Sequence, residues 1–211
     1  MRKQLTSIDM NIMNIGSKYW DVSLSKIKET THKAVVSRYA LKIEYVRSKG
    51  IGLYLCGDNR SGKTSIAVAI LKEARRQKYT CYFITAVELR DAYYDKTMFE
   101  EDVTVIQRCI GVDFLVIDDF GKELTKSQHG ERKLEDLIRQ RCNNLRPTIL
   151  TTNVNPNIRK DETKSDLEKE YPRSLTELIK GCMHTVIVKD DWRSAERSDC
   201  QSFIMMEENN V

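Results

Sequence analysis

The stretch IGLYLCGDNRSGKTS, residues 51–65, decides the fold. Its first six residues are an apolar run of the kind that makes a buried strand. Gly57, Gly62, Lys63 and Thr64 then fall at the P-loop spacing. Beyond the loop, Ile66, Ala67, Ile70, Leu71 and Ala74 recur on one face of a helix. A phosphate cradle needs this sequence of strand, glycine-bearing loop and helix. Glycine lets the backbone come close to the anion, the loop N–H groups turn inward, and the helix presents its positive dipole end. Gly57, Asp58, Asn59, Arg60, Ser61, Gly62, Lys63, Thr64 and Ser65 are therefore expected to hold ATP. Lys63 would reach the β- and γ-phosphates, and the Thr64 hydroxyl would ligate Mg2+.

Working outward, TCYFITA (residues 80–86), DFLVIDD (113–119), TILTTN (148–153) and HTVIVKD (184–190) read as further strands. Between them lie helical patterns at residues 30–46, 87–95, 100–109 and 175–179, and one marked by Leu134, Leu137, Ile138 and Leu145 that Pro147 ends. Alternating strands and helices predict an α/β architecture: a parallel sheet of about five strands, covered by helices on both faces.

Asp118 and Asp119 close one of these strands, at the edge where open α/β sheets bind ligands. Asp118 is suited to hold Mg2+ through water, and Asp119 to polarise an attacking water. Asn153 ends the next strand, where an uncharged polar group could orient that water; Asn is equally a common turn residue. One whole strand separates the P-loop strand from the acidic one, the order found in RecA-like and AAA+ ATPases rather than in adenylate-type kinases.

The charge and composition bound the rest. Of 211 residues 40% are apolar and 31% charged, and no apolar run approaches the ~20 residues that a membrane span needs. No secretory h-region precedes the first helix, so cytoplasmic residence without membrane contact is expected. Six scattered cysteines with no CxxC pair fit neither a zinc site nor a disulfide framework, and reduced, structural thiols are expected. Lys26, Lys28, Lys33, Arg38, Lys42, Arg47 and Lys49 form a basic stripe, readable as a solvated helix face or as a phosphate-binding surface.

The segments YFITAVELRDAYYD, VDFLVIDDFGKE and LEDLIRQRCNNLRPTILTTN resemble one family in particular. It comprises AAA+ helicase-loader ATPases of the DnaC/DnaI type and the related IstB-like transposition helpers. The resemblance runs from about Ile15 to Arg193. It implies an ASCE-type AAA+ core at residues 30–193 with a reduced lid, an N-terminal extension at 1–29 and a flexible tail at 194–211. It also implies ATP hydrolysis between the subunits of a ring or spiral, slow without DNA or a partner, with an arginine supplied in trans. Arg173 is expected as that finger, because Glu177 stands where the family usually has arginine. Arg193 matches a lid-side arginine that contacts the nucleotide, and Glu123 is second to Asp119 as the catalytic carboxylate.

The implied partners are DNA, single-stranded rather than double-stranded, and a replicative helicase or, alternatively, a transposase. An ATP-binding adaptor that hydrolyses poorly, suggested by Asp119, is a third reading. Lys33, Arg38 and Lys42, or Arg139, Arg141 and Arg146, are candidate phosphate contacts on DNA.

Overall fold

In the computed structural model, which describes residues 4–27, 31–94, 100–121, 128–158, 160 and 162–189, the run after Ile51 forms strand β1 (Gly52–Gly57) inside a sheet. The other strands are β2 (Cys81–Thr85), β3 (Phe114–Phe120), β4 (Thr148–Thr152) and β5 (Met183–Val188). All pairings are parallel, in the order β2-β3-β4-β1-β5. All five strands predicted from sequence are thus present, within a residue or two of their expected ends.

Both faces of this sheet are dry, which is why its strands read as continuous apolar runs. Leu53 and Leu55 of β1 join Phe114 and Val116 of β3 in one cluster, whereas Tyr54, Leu115 and Ile117 belong to the other. The period-2 alternation is real but hidden, because neither face needs polar residues.

The described helices are α1 (Ser7–Ile12), α2 (Thr31–Leu41), α3 (Ile43–Lys49), α4 (Lys63–Arg76), α5 (Ala86–Tyr94), α6 (Glu100–Gly111), α7 (Gln128–Asn143), α8 (Asp166–Glu170) and α9 (Arg173–Cys182). Helix α4 is buried on nearly every side, down to Lys72 and Glu73. The sheet covers one flank. Two short 3-10 turns (Ser17–Tyr19 and Leu24–Lys26) and α2 pack in the same cluster as α4. Lys72 Nζ donates to the carbonyls of Trp20 (2.5 Å) and Val22 (2.6 Å), which gives a buried cation its partners.

Residues expected as an N-terminal extension therefore contribute to the core: Met10, Met13, Ile15 and Ile27 are all buried in the same cluster as α4. Arg75 pairs with Asp9 at 2.9 Å, and the Phe83 N–H donates to the Met13 carbonyl at 2.9 Å along the outer edge of β2.

Several expectations need correction. The helical pattern over residues 30–46 is two helices, interrupted at Lys42. Leu145 lies beyond α7, 48% exposed and with φ 51°. Cys142 and Cys182, expected as reduced, form a disulfide between the ends of α7 and α9. Forty positions separate them in sequence, and only the packing of α9 against α7 brings them together. Cys56, Cys81 and Cys109 are buried free thiols, as expected; burial pushes Cys56 up to about 11 and Cys109 up to about 12. Cys200 lies outside the described residues.

Arg141 was a candidate DNA contact, and the structure makes it the largest fully buried side chain, 0% exposed. Its Nε donates to Thr148 Oγ1 (2.9 Å), Nη1 to the carbonyls of Cys109 (2.7 Å) and Val112 (2.8 Å), and Nη2 to that of Pro147 (2.8 Å). Longer bonds reach Ile110 and Asp113. Burial pushes the guanidinium down to about 9, which leaves it charged at neutral pH. The reason for the misreading is plain: a fork of five donors suits several converging carbonyls as well as it suits phosphate. Arg146 and Arg139 are also occupied, on the Ile110 carbonyl and on Glu135. Arg47 of the basic stripe pairs with Asp113 at 2.8 Å, whereas Arg38 and Lys42 are exposed.

Candidate functional site

The loop from β1 to α4, the end of β3 and the end of β4 meet at one sheet edge, because β3, β4 and β1 are neighbours. Gly57 must be glycine for contact reasons: a Cβ there would collide with the Val188 carbonyl oxygen of β5. Gly62 stands at φ 90°, a conformation that side chains rarely adopt, and starts α4. Arg60 adopts φ 70° although it is not glycine, so the loop tip carries backbone strain.

Lys63 is buried, and its Nζ donates to the carbonyls of Gly57 (2.9 Å) and Asp58 (2.7 Å) and to Asn153 Oδ1 (2.9 Å). The Asn153 amide nitrogen donates in turn to Asn59 Oδ1 at 2.8 Å. Asn153 therefore bridges two parts of the loop, which a simple turn residue would not do. Ser61 is buried beneath the same ammonium, 3.4 Å away.

The Thr64 hydroxyl donates to Asp118 at 2.9 Å. Asp118 is buried at the end of β3, and burial raises its carboxyl above the ordinary range; bonds from Thr151 and Thr64 work the other way. A hydroxyl and a carboxylate at this distance are hard oxygen donors of the type Mg2+ takes, with the remaining positions left to water and phosphate. Bound there, Mg2+ would neutralise developing charge on the transferred phosphate. Among the described residues no group of three or more His, Cys, Asp or Glu side chains is placed to hold a metal ion.

The pairing of β3 with β4 slips between Ile117 and Phe120, so the acidic pair sits on a bulge. Asp119 has φ 56° and is exposed toward the cleft, whereas Asp118 points into the site beside Thr64. Two neighbouring carboxylates thus acquire different surroundings. Thr151 fixes this arrangement: its hydroxyl donates to Asp118 Oδ1 (2.5 Å) and accepts from the Asp119 N–H (3.0 Å). Thr152 donates to the Phe120 carbonyl at 2.6 Å. Sequence reasoning overlooked both threonines, although their place immediately before Asn153 was the available signal.

A cleft of about 800 Å³ opens over these groups. Asn59, Arg60, Gly62, Lys63, Thr64 and Ser65 line it from the loop, and Asp118 and Asp119 from β3. Its opposite wall was not foreseen: Asn14, Lys18 and Tyr19 come from the N-terminal segment, and Phe83, Thr85 and Glu88 from β2 and α5. Arg173 is exposed at the start of α9 and is not among the lining residues, and Glu177 is exposed on the same helix. Arg193 and Glu123 lie outside the described residues. No helix among the described residues is long and apolar enough to cross a membrane.

Comparison with known proteins agrees with this geometry. Residues 1–161 match the model of the family described as "IstB-like ATP binding protein". The replicative helicase loader DnaI of Bacillus subtilis (strain 168) is 28% identical over 112 residues, which are 51% of this chain and 35% of DnaI. The chain thus spans about a third of that relative's length. A crystal structure of the DnaC helicase loader superposes with a TM-score of 0.67 at 22% identity, over 82% of this chain and 100% of that one. The replication initiator DnaA, solved with AMPPCP and single-stranded DNA, gives 0.66 at 17% identity over 83% of this chain and 51% of the other. The fold is that of an AAA+ P-loop ATPase domain, and the chain belongs to the IstB-like ATP-binding protein family.

Proposed function

We propose that this chain hydrolyses Mg2+–ATP and, assembled as a ring or spiral on DNA, loads or remodels a replicative helicase. One observation carries the enzymatic part: Lys63, Thr64, Asp118 and Asn153 are joined in pairs across three neighbouring chain segments, with the exposed Asp119 beside them. That set supplies a cation for the terminal phosphates, a hard-oxygen pair for the metal, a carboxylate to polarise water and a neutral amide to orient it.

The likeness to DnaI and DnaC supports the helicase as partner and the cytoplasm as its place of action. The likeness to DnaA favours single-stranded DNA. Arg173, exposed and outside the cleft of its own chain, would complete the site of a neighbouring subunit. The family description favours a second reading, a transposition helper that regulates a transposase on DNA.

Turnover measured with and without single-stranded DNA tests the chemistry. Asp119→Asn should bind ATP yet lose about 10²-fold or more in kcat, since it removes the base but keeps the shape. Arg173→Ala should lose turnover only where subunits assemble. Unchanged turnover in both variants would sink the site assignment. Co-purification with a replicative helicase supports loading, and co-purification with a transposase alone overturns it.

A further inference from the structure

The cleft contains three cations, of which the P-loop supplies Lys63 and Arg60. The third, Lys18, comes from a segment that precedes the first strand by more than thirty residues. That segment is fastened in place at both ends. Asn14 Nδ2 donates to the Phe83 carbonyl at 3.0 Å, and Trp20 Nε1 to the Ile15 carbonyl at 2.9 Å. Lys72, rising from the buried helix α4, holds the Trp20 and Val22 carbonyls from below. Between these anchors the Tyr19 ring packs near Phe83, with centroids 6.5 Å apart, and Lys18 Nζ lies 4.6 Å from the centre of the Tyr19 ring.

Such anchoring is more than an exposed lysine needs to stay solvated. Among the described residues no carboxylate forms an ion pair with Lys18, and its side chain lines the same cleft as Thr64, Asp118 and Asp119. Asp118 and Thr64 mark the metal end of the site, where the last phosphate would lie. Two carboxylates and a triphosphate together leave that end short of positive charge, and the Lys63 ammonium is already shared among the loop carbonyls and Asn153.

Resting on the reading of the cleft as an ATP site, we propose that Lys18 is a specificity-determining contact to the terminal phosphate, made by the nucleotide's own chain. The N-terminal segment then closes the cleft on the side away from the loop, and the protein distinguishes a nucleoside triphosphate from a diphosphate before any neighbouring subunit adds an arginine. A cation on the flexible lysine stem suits this role, because it acts as a point charge and needs no bidentate geometry.

The test is nucleotide affinity of the full chain in Mg2+, with ADP and with an ATP analogue whose β,γ-bridge cannot be hydrolysed. Lys18→Ala should weaken the triphosphate about tenfold or more and ADP less than about twofold. Lys18→Arg should restore most of the difference, and the melting temperature of both variants should match the parent, since the side chain is exposed. Equal weakening of both nucleotides, or none, would overturn the role of Lys18 while leaving the ATP site intact. A parent chain that binds neither nucleotide would overturn the ATP reading and this proposal with it.

Discussion

Asn153 Oδ1 accepts a hydrogen bond from Lys63 Nζ over 2.9 Å, so the end of β4 is tied to the P-loop through the residue that would meet the phosphates. A second bond, Asn153 to Asn59, ties the same side chain to the loop's other limb. A phosphate entering the loop would compete with Asn153 for the Lys63 ammonium. Removing the amide should therefore affect turnover more than binding. Asn153→Ala is expected to lower kcat about tenfold to a hundredfold while changing ATP affinity by less than about threefold. Steady-state kinetics beside direct binding would check this, and a loss confined to affinity would contradict it.

Leu145 occupies a position that usually belongs to glycine. After α7 its N–H donates to the Cys142 carbonyl (3.0 Å) and the Arg146 N–H to that of Arg141 (2.8 Å), the paired bonds of a Schellman ending. The residue between must be left-handed, and Leu145 is, with φ 51°. Its side chain is half exposed and loses little on deletion. Leu145→Gly is expected to stabilise the domain by about 0.5–1 kcal/mol, the relieved strain less the greater freedom of the unfolded glycine. Thermal unfolding should shift upward by about 1–4 °C. A downward shift would mean that the exposed leucine makes contacts worth more than the strain.

The sheet and the loop were legible in the sequence because their signals are local. Residues 51–65 carry strand, turn and helix in one uninterrupted pattern, and the run ending at Asp119 places its acids by simple position. Arg141, Cys142 and Lys18 were not legible in the same way. What each does depends on where a distant segment packs: α9 for Cys142, the carbonyls around Val112 for Arg141, and the edge of β2 for the segment bearing Lys18. Charge density alone could not separate a buried guanidinium from one meant for DNA. The bulge at Asp118–Asp119 was hidden for a similar reason, since the threonines that hold it belong to the next strand.

Asp113, just before β3, takes three hydrogen bonds from two residues. It accepts from Arg47 Nε (2.8 Å), the Thr80 N–H (3.0 Å) and the Thr80 hydroxyl (2.7 Å). Burial acts to raise its carboxyl, but the Thr80 and Arg47 contacts outweigh it and hold the group below the ordinary range. A depressed acid adds stability above the unfolded pKa of about 4, and this is lost as pH falls through the folded value. Asp113→Asn should accordingly be less stable than the parent at neutral pH and converge with it in acid. Urea midpoints at pH 7 and near pH 3 would show this, and a constant gap between the two proteins would argue against it.

Arg141 is the most consequential structural side chain that the sequence disguised. Its guanidinium satisfies carbonyls at the end of α6, at the approach to β3 and at Pro147 before β4, so three segments converge on one cation. Arg141→Met would fill similar space but leave those carbonyls without donors, each orphan costing about 1–3 kcal/mol where water cannot reach. Allowing for partial relaxation, a loss of about 3–5 kcal/mol is expected, a large share of the ~5–15 kcal/mol that keeps a domain folded. Arg141→Lys should recover only part, because an ammonium cannot span the same fork. Chemical denaturation of both variants would measure it. A DNA contact would give the opposite pattern, with stability retained and binding lost, whereas Arg141 should lose stability first and any DNA affinity only as a consequence of unfolding.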